Sequence, residues 1–118
     1  MQRALFIGSE IYRGSRYGIR HPLSIERVPA AIDLARALGL LPSALYRTSP
    51  RAKPEALAAF HTRDYIAALQ AAEAEGAVSD ETRARHGLGT LSNPVFPEMY
   101  RRPATAVGGG LLAAELVM

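Results

Sequence analysis

The histidines are the residues of this sequence best suited to metal binding or proton transfer, and their spacing supports neither. His21, His61 and His86 lie far apart, none is next to another, and no Asp-x-His or HExxH pattern is present. A zinc site needs several such ligands at defined spacings, which one imidazole per region does not supply. Cysteine is absent, so thiolate ligands and a thiolate nucleophile are excluded. We therefore expect no metal site and no intrinsic catalysis from these residues alone.

The charge pattern argues against a nucleic-acid-binding module. The 118 residues carry 14 Lys and Arg against 11 Asp and Glu, a net charge of +3. Lys53 is the only lysine, and the arginines are scattered along the chain. Nucleic-acid binders usually cluster their cations on one face, interleaved with stacking aromatics. We expect no nucleic-acid partner.

Hydrophobicity indicates a globular domain without a membrane partner. The sequence is 48% hydrophobic and 21% charged, and its length allows one small apolar core. No stretch approaches the roughly 18 consecutive apolar residues that cross a bilayer. The N-terminal sequence MQRALFIGSE lacks the features of a secretory signal. Together with the lack of cysteine, this favours a reducing cytoplasm as the location.

Patterning in the first half predicts one or two strands around a helix. Residues 3–8 form a short apolar run closed by Gly8, and residues 44–48 are a candidate second strand. A helix is expected between Ser24, which can cap it, and Gly39, which can end it. Pro29 is harmless in this helix only if it lies in the first turn. The apolar side chains at helical spacing are Val28, Ile32, Ala35 and Leu38.

The second half of the chain is predicted to be largely helical. Pro54 opens a short helix over residues 54–60, and Thr62 caps a longer helix over residues 62–76. The apolar side of that longer helix contains Tyr65, Ile66, Leu69 and Ala72. His61 and Asp64 are interpreted as packing and capping residues, and residues 79–96 as a short polar helix followed by a loop.

The last predicted helix lies within residues 97–118 and contains consecutive glycines at 108–110. Its apolar side runs through Val107, Leu111, Ala114 and Met118. The glycines lack the spacing of a phosphate-binding loop, so we interpret them as a site of close helix packing. Because domains seldom end inside a buried element, we interpret residues 1–118 as a truncated N-terminal portion of a single domain. The alternative is a natural end that frays or docks on another chain.

Three segments in order resemble the N-terminal third of bacterial histone-deacetylase-like proteins, including the acetoin utilisation deacetylases. They are YGIRHPLSIER at residues 17–27, FHTRDYIAAL at residues 60–69 and GLGTLSNPVFPEMY at residues 87–100. The third is followed by the glycine-containing segment AVGGGLLAAE. This resemblance implies the N-terminal part of the three-layer arginase/deacetylase-type α/β fold, with a parallel sheet, in a single catalytic domain much longer than this chain.

The resemblance also assigns roles near a substrate channel. Arg27 matches the family's buried arginine beside the channel thought to release acetate, where a guanidinium can hold a carboxylate with two hydrogen bonds. A role for Arg27 in tying the first loop to the body remains equally open. Tyr17 and His21 match a loop that lines the active-site entrance, although His21 also fits a hydrogen-bonded loop histidine. Ser92 stands where the family usually has an aspartate that accepts N–H bonds from the acyl-lysine substrate.

The activity implied by the resemblance is zinc-dependent hydrolysis of acetyl-lysine or acetylated amines. In the family, the zinc ligands, the paired histidine bases and the oxyanion-stabilising tyrosine all follow the glycine helix. We therefore predict a deacetylase N-terminal fragment that is inactive alone and holds no zinc. The alternative is a non-catalytic protein-binding module that uses the apolar C-terminal helix. Exposed apolar surface also predicts marginal stability and self-association.

Overall fold

The computed structural model describes residues 3–18, 21 and 26–118. Within these ranges the chain is mostly helical with one small sheet, which confirms the predicted class. The elements in chain order are β1 (Phe6–Gly8), α1 (Ile11–Gly14), α2 (Arg27–Ala37), β2 (Tyr46–Thr48), α3 (Pro54–Leu57), α4 (Arg63–Glu75), α5 (Asp80–His86) and α6 (Arg101–Val117). No helix in the described part of the chain is long and apolar enough to cross a membrane.

β1 and β2 form a two-stranded parallel sheet, as predicted. The register pairs Phe6 with Tyr46 and Gly8 with Thr48. The Phe6 and Tyr46 rings stack with their centroids 5.8 Å apart, which adds a side-chain contact to the ladder. Both strands are shorter than the sequence predicts, because the chain before Phe6 is not paired and a 3₁₀ turn precedes Tyr46.

α2 begins at Arg27, and its predicted cap Ser24 lies outside the described residues. Pro29 is in the first turn and is buried, so its missing N–H removes no helical hydrogen bond. The helix ends as predicted at Gly39, whose φ of 71° is in the left-handed region. The Gly39 N–H donates to the Arg36 carbonyl at 3.0 Å, and the Leu40 N–H to the Ala35 carbonyl at 2.9 Å. These two bonds satisfy carbonyls that the helix leaves open.

Ion pairs on the surface connect α1 to α2. The Arg13 guanidinium donates to both carboxylate oxygens of Asp33 at 2.8 Å and to Glu10 at 2.7 Å. The hydrogen bond from Arg13 holds the pKa of each carboxyl below its ordinary value. Because these groups are exposed and screened by solvent, they orient α1 more than they stabilise it.

α4 is capped as predicted and supplies much of the core. The Thr62 hydroxyl accepts from the Tyr65 N–H at 3.2 Å, and Gly76 ends the helix with a φ of 70°. All four predicted apolar residues of α4 are buried or half-buried. Two clusters of buried residues result. One contains Ala52, Leu57, Ile66, Tyr100 and Ala104, and the other contains Ala72, Leu88 and Met99.

α6 packs through small residues, so the predicted apolar side is wrong. Its buried residues are Ala104, Thr105 and Gly108, whereas Val107, Leu111, Ala114 and Met118 are exposed. A Cβ on Gly108 would overlap the Pro50 carbonyl, and the Ala52 N–H donates to the Ala104 carbonyl at 2.9 Å. The predicted role of the glycines in close packing is thus confirmed at Gly108. The helix turns its smallest residues inward because a backbone segment lies directly against it.

Glu73 on α4 caps the N-terminus of α6. Its carboxylate accepts from the backbone N–H groups of Tyr100 and Arg101 at 2.9 and 3.0 Å, and from the Arg101 Nε at 2.7 Å. Partial burial raises the pKa of Glu73, but the hydrogen bonds from Arg101 and Tyr100 outweigh it and hold the pKa below its ordinary value. A carboxylate here also complements the positive end of the helix dipole.

The overall shape is open and flat. The extents are 52 × 33 × 18 Å and the radius of gyration is 16.3 Å. A compact domain of this length has a radius of gyration of about 13.5 Å. The outer side of α6 accordingly leaves Leu111, Leu116 and Val117 exposed to solvent. This agrees with the predicted exposure of apolar surface.

Substitution of neighbouring glycines tests the close approach of α6. We expect Gly108→Ala to lower the free energy of unfolding by about 3 kcal/mol or more, since the added methyl meets backbone that cannot move aside. The matched control Gly110→Ala has open space and should raise it by about 0.5–1 kcal/mol. Urea unfolding followed by far-UV circular dichroism measures both. Equal effects at the two positions would contradict the packing described.

The Glu73 cap predicts a pH-dependent contribution to stability. Because the folded-state pKa is lowered, the contribution is present above the unfolded-state pKa, about 4.3, and is lost as pH falls through the folded value. We expect Glu73→Gln to cost about 1–2 kcal/mol at pH 7 and progressively less below pH ~4. Glu75→Gln, at an exposed position on the same helix, is the control and should change stability by less than about 0.5 kcal/mol. A pH-independent loss in Glu73→Gln would rule out the charge-based cap.

Candidate functional site

Three of the predicted site residues meet in one cluster. The Tyr17 ring lies 4.8 Å from the His21 ring and meets the Phe96 ring edge-on at 4.9 Å, measured between centroids. His21 Nε2 lies 3.4 Å from the Ser92 carbonyl oxygen, to which it donates when that nitrogen carries the proton. The structure therefore brings Tyr17, His21 and Ser92 together from segments 71 residues apart. We call these residues, with Phe96, the entrance cluster.

The loop that presents Ser92 is held by its own hydrogen bonds. The Gly89 N–H donates to the Asn93 carbonyl at 2.9 Å, and the Asn93 amide donates to the Gly87 carbonyl at 3.1 Å. Gly87 and Gly89 have φ values of 68° and 75°, which side chains rarely adopt. Ser92 is exposed at the tip of this loop. Its hydroxyl carries no charge.

Arg102 is a residue of this region that the sequence analysis missed. Its guanidinium carbon lies 4.5 Å from the Tyr17 ring centre and 5.2 Å from that of Tyr12. Its Nη1 donates to the carbonyl and hydroxyl oxygens of Ser15 at 3.0 and 3.1 Å. Burial raises the pKa of the Tyr12 phenol, and the Arg102 charge opposes that shift. No sequence signal marked Arg102, because its partners lie about 85–90 residues earlier in the chain.

Arg27 does not join the entrance cluster directly. It lines a small cavity of about 120 Å³ whose wall includes Tyr17 and Arg102. Arg27 is exposed at the first position of α2 in this chain, and its predicted place beside an acetate channel stays a prediction. Within the described ranges its guanidinium has no hydrogen bond or ion pair. It can therefore accept an anion from the cavity or from solvent.

A larger apolar cleft of about 510 Å³ lies beside the entrance cluster. Its lining includes Tyr17 and Phe96 from the cluster, Tyr65 from α4, and Arg102 and Val107 from α6. The cleft gives an apolar ligand or a covering segment a large area of contact.

The other two histidines contact neighbours away from the entrance cluster, and the predicted packing role is confirmed for His61. His61 contacts the rings of Phe60 and Tyr65 at 4.9 and 5.7 Å between centroids. His86 Nε2 lies 3.6 Å from an Asp64 carboxylate oxygen, which also pairs with Arg85 at 2.7 Å. Asp64 is thus a surface ion-pair residue.

The donor groups in the described ranges do not form a zinc site. Among the residues that the structure describes, no group of three or more His, Cys, Asp or Glu side chains is placed to hold a metal. A zinc site takes three protein ligands at least. The described residues by themselves therefore do not form a zinc-dependent hydrolytic site.

A small parallel sheet among helices is what the three sequence segments predict for the N-terminal part of a deacetylase-type α/β fold. Residues 21–118 match the histone deacetylase domain. Because the match covers most of the chain, the protein belongs to the histone deacetylase family.

Relatives within the family are bacterial acetoin utilisation proteins. The chain is 35% identical over 118 residues to the acetoin utilization protein AcuC of Bacillus subtilis and covers 30% of that protein. It is 29% identical over 119 residues to AcuC of Staphylococcus aureus strain MRSA252, again covering 30%. The chain thus spans about a third of the length of these curated relatives and corresponds to their N-terminal portion.

Solved structures give the same result. A crystal structure of a histone deacetylase homologue from Aquifex aeolicus superposes with a TM-score of 0.92 at 32% identity. The superposition covers 97% of this chain and 31% of the homologue. A crystal structure of such a homologue complexed with SAHA matches equally well. The predicted fold is confirmed.

Proposed function

We propose that residues 1–118 form the N-terminal part of the catalytic domain of a zinc-dependent deacetylase that acts on acetyl-lysine or acetylated amines. The observation that carries this proposal is the match of 97% of the chain, at a TM-score of 0.92, to less than a third of a histone deacetylase homologue. The chain contributes the first strands, the entrance cluster and one wall of the apolar cleft. The metal ligands and the hydrolytic groups would come from the remainder of the domain, so the chain alone is inactive.

Arg27 and the small cavity beside it supply a place for the acetate product. An exposed guanidinium with no partner in the described ranges attracts a carboxylate and can hold it with two hydrogen bonds. Arg102 adds a second positive charge to the wall of this cavity, while the Glu26 carboxylate in the same wall is paired with Arg16, and the cavity is large enough for a two-carbon acid. Acetate would therefore leave the reacting centre toward positive charge.

Ser92 determines how strongly this position binds the substrate backbone. An ionised carboxylate at this position accepts hydrogen bonds that are about twice as strong as those of a neutral group. The hydroxyl of Ser92 is exposed, so it can still accept one bond from a substrate N–H. We propose a weaker hold on acetylated peptides than an aspartate gives, which favours small acetylated amines.

A second candidate is a non-catalytic module that binds another protein through α6. The exposed apolar side chains Leu111, Leu116 and Val117 favour it, since such a surface is costly in a monomer. The same surface in a deacetylase domain would be covered by the rest of that domain. The cytoplasmic location predicted from the sequence stays a prediction under either candidate.

A chimera tests the proposed function directly. Residues 1–118 replace the matching N-terminal 30% of Bacillus subtilis AcuC, and zinc content and acetate release from an acetylated lysine peptide are measured. We expect one zinc per chimera and hydrolysis, while residues 1–118 alone neither bind zinc stoichiometrically nor release acetate. Arg27→Ala should lower the rate about tenfold through the loss of a charge-assisted hydrogen bond, and exposed Arg51→Ala is the control. Zinc binding and hydrolysis by residues 1–118 alone would overturn the proposal, and a folded but inactive chimera would favour the binding module.

Ser92→Asp in the same chimera tests the substrate grip. The added carboxylate should lower the KM for an acetylated peptide about fivefold to tenfold, because hydrogen bonds to charged groups contribute about 1 kcal/mol more than neutral ones. Ser92→Asn, which has a similar size and no charge, is the control. The KM for a small acetylated amine, which lacks the peptide N–H groups, should not change. An equal effect of Asp and Asn would remove Ser92 from the substrate-binding site.

A further inference from the structure

Two consecutive arginines at the start of α6 have different partners. Arg101 pairs with Glu73 of α4, whereas Arg102 donates to Ser15 and lies over the rings of Tyr12 and Tyr17. Successive helical residues point about 100° apart around the axis, so the two guanidinium groups reach different neighbours. We propose that Arg102 is a positioning residue, which holds Tyr17 and with it the entrance cluster in place on α6. The functional consequence rests on the proposed deacetylase activity.

Arg102 makes both polar and aromatic contacts, and we call this set of contacts the clamp. Its Nη1 satisfies both oxygens of Ser15, a residue only 6% exposed. Its planar face lies 4.5 Å from the centre of the Tyr17 ring, within the range of a cation–π contact. No carboxylate pairs with Arg102 among the described residues. Its charge is therefore directed to the aromatic rings and to the Ser15 carbonyl.

Besides Arg102, the segment is held by an exposed ion pair from Arg16 to Glu26 at 2.7 Å and by a bond from the His21 N–H to the Gly18 carbonyl at 3.2 Å, neither of which involves α6. Residues 15–18 follow the short helix α1 and have no regular secondary structure. Gly18 has a φ of 107°, a conformation that other residues rarely adopt. Tyr17 has to pack against something fixed to present its ring to His21 and Phe96. The first turn of α6 supplies this support, since Glu73 and the buried side of the helix already fix it.

This arrangement makes the entrance cluster depend on α6 across a large sequence separation. The link runs from Arg102 to Tyr17, from the Tyr17 ring to His21, and from His21 to the Ser92 carbonyl. Loss of the guanidinium should release the Tyr17 ring while leaving the helix itself intact. A lysine at position 102 keeps the charge but not the planar face or the second donor direction, so it should restore the geometry only in part.

Nuclear magnetic resonance of the full 118-residue chain tests the clamp. In the wild-type chain we expect NOE cross-peaks between Arg102 side-chain protons and the rings of Tyr12 and Tyr17, and between Tyr17 and Phe96. Arg102→Met keeps the apolar stem, and it should abolish the Tyr17–Phe96 cross-peaks and shift the His21 ring signals. Arg102→Lys should restore them in part. Arg101→Met, the same change at the adjacent position, should lower stability through the loss of its bond to Glu73 and leave the Tyr17 signals unchanged.

The clamp can also be tested from the tyrosine side. Tyr17→Phe keeps the ring and should preserve the ring-current shift of the Arg102 side-chain signals, whereas Tyr17→Leu should abolish that part of the shift. The wild-type cross-peaks alone decide the case if Arg102→Met does not fold. Absence of those cross-peaks, or identical Tyr17 signals in wild type and Arg102→Met, would overturn the proposal.

An activity measurement separates positioning from the proposed function. In the AcuC chimera, Arg102→Met should raise KM about fivefold with little change in kcat, as expected for the loss of about 1 kcal/mol of cation–π energy that orients the entrance. Arg102→Lys should recover part of this loss. An inactive wild-type chimera would count against the deacetylase assignment alone, because the spectroscopic result on Tyr17 still decides the role of Arg102. An active chimera with unchanged KM in Arg102→Met would contradict positioning.

Discussion

The close approach of α6 to the backbone that follows β2 is the constraint on which the rest of the structure depends. Gly108 faces the Pro50 carbonyl with no room for a methyl group, and the Ala52 N–H donates to the Ala104 carbonyl. Packing at this distance places the small residues Ala104, Thr105 and Gly108 against the neighbouring backbone and leaves the larger apolar side chains of α6 outside. It fixes the axis of α6, and the elements that meet α6 take their positions from it.

Contacts of charged groups at the N-terminus of α6 then attach two other parts of the molecule to this helix. The Glu73 carboxylate accepts hydrogen bonds from the N–H groups of Tyr100 and Arg101, which joins the start of α6 to α4 and to the core around it. Arg102 points to a different side of the helix and donates to the segment after α1. The first turn of α6 thereby contacts both the partly buried capping carboxylate on α4 and the aromatic segment after α1. The geometry of the entrance cluster follows from that turn.

The exposed apolar surface results from the small thickness of the chain, and it agrees with the functional assignment. A chain of this length with an 18 Å short dimension cannot enclose a core on both faces of its sheet. The cleft beside Tyr17 and the outer side of α6 are therefore left without cover. In the proposed deacetylase, these surfaces are where the rest of the domain contacts this portion, and the entrance cluster borders the chemistry without containing it.

The sequence by itself determined the local features and the family. Thr62 and Gly39 mark helix ends by side-chain and backbone chemistry that acts within a few residues, and three ordered motifs identified the family and its parallel sheet. The contacts of Arg102, the exposure of Arg27 and the inward side of α6 were decided only by the tertiary structure. The physical reason is that helical periodicity shows which residues share a side but not which side meets backbone at short range. For α6, the approach of Pro50 selected the small residues over the apolar ones.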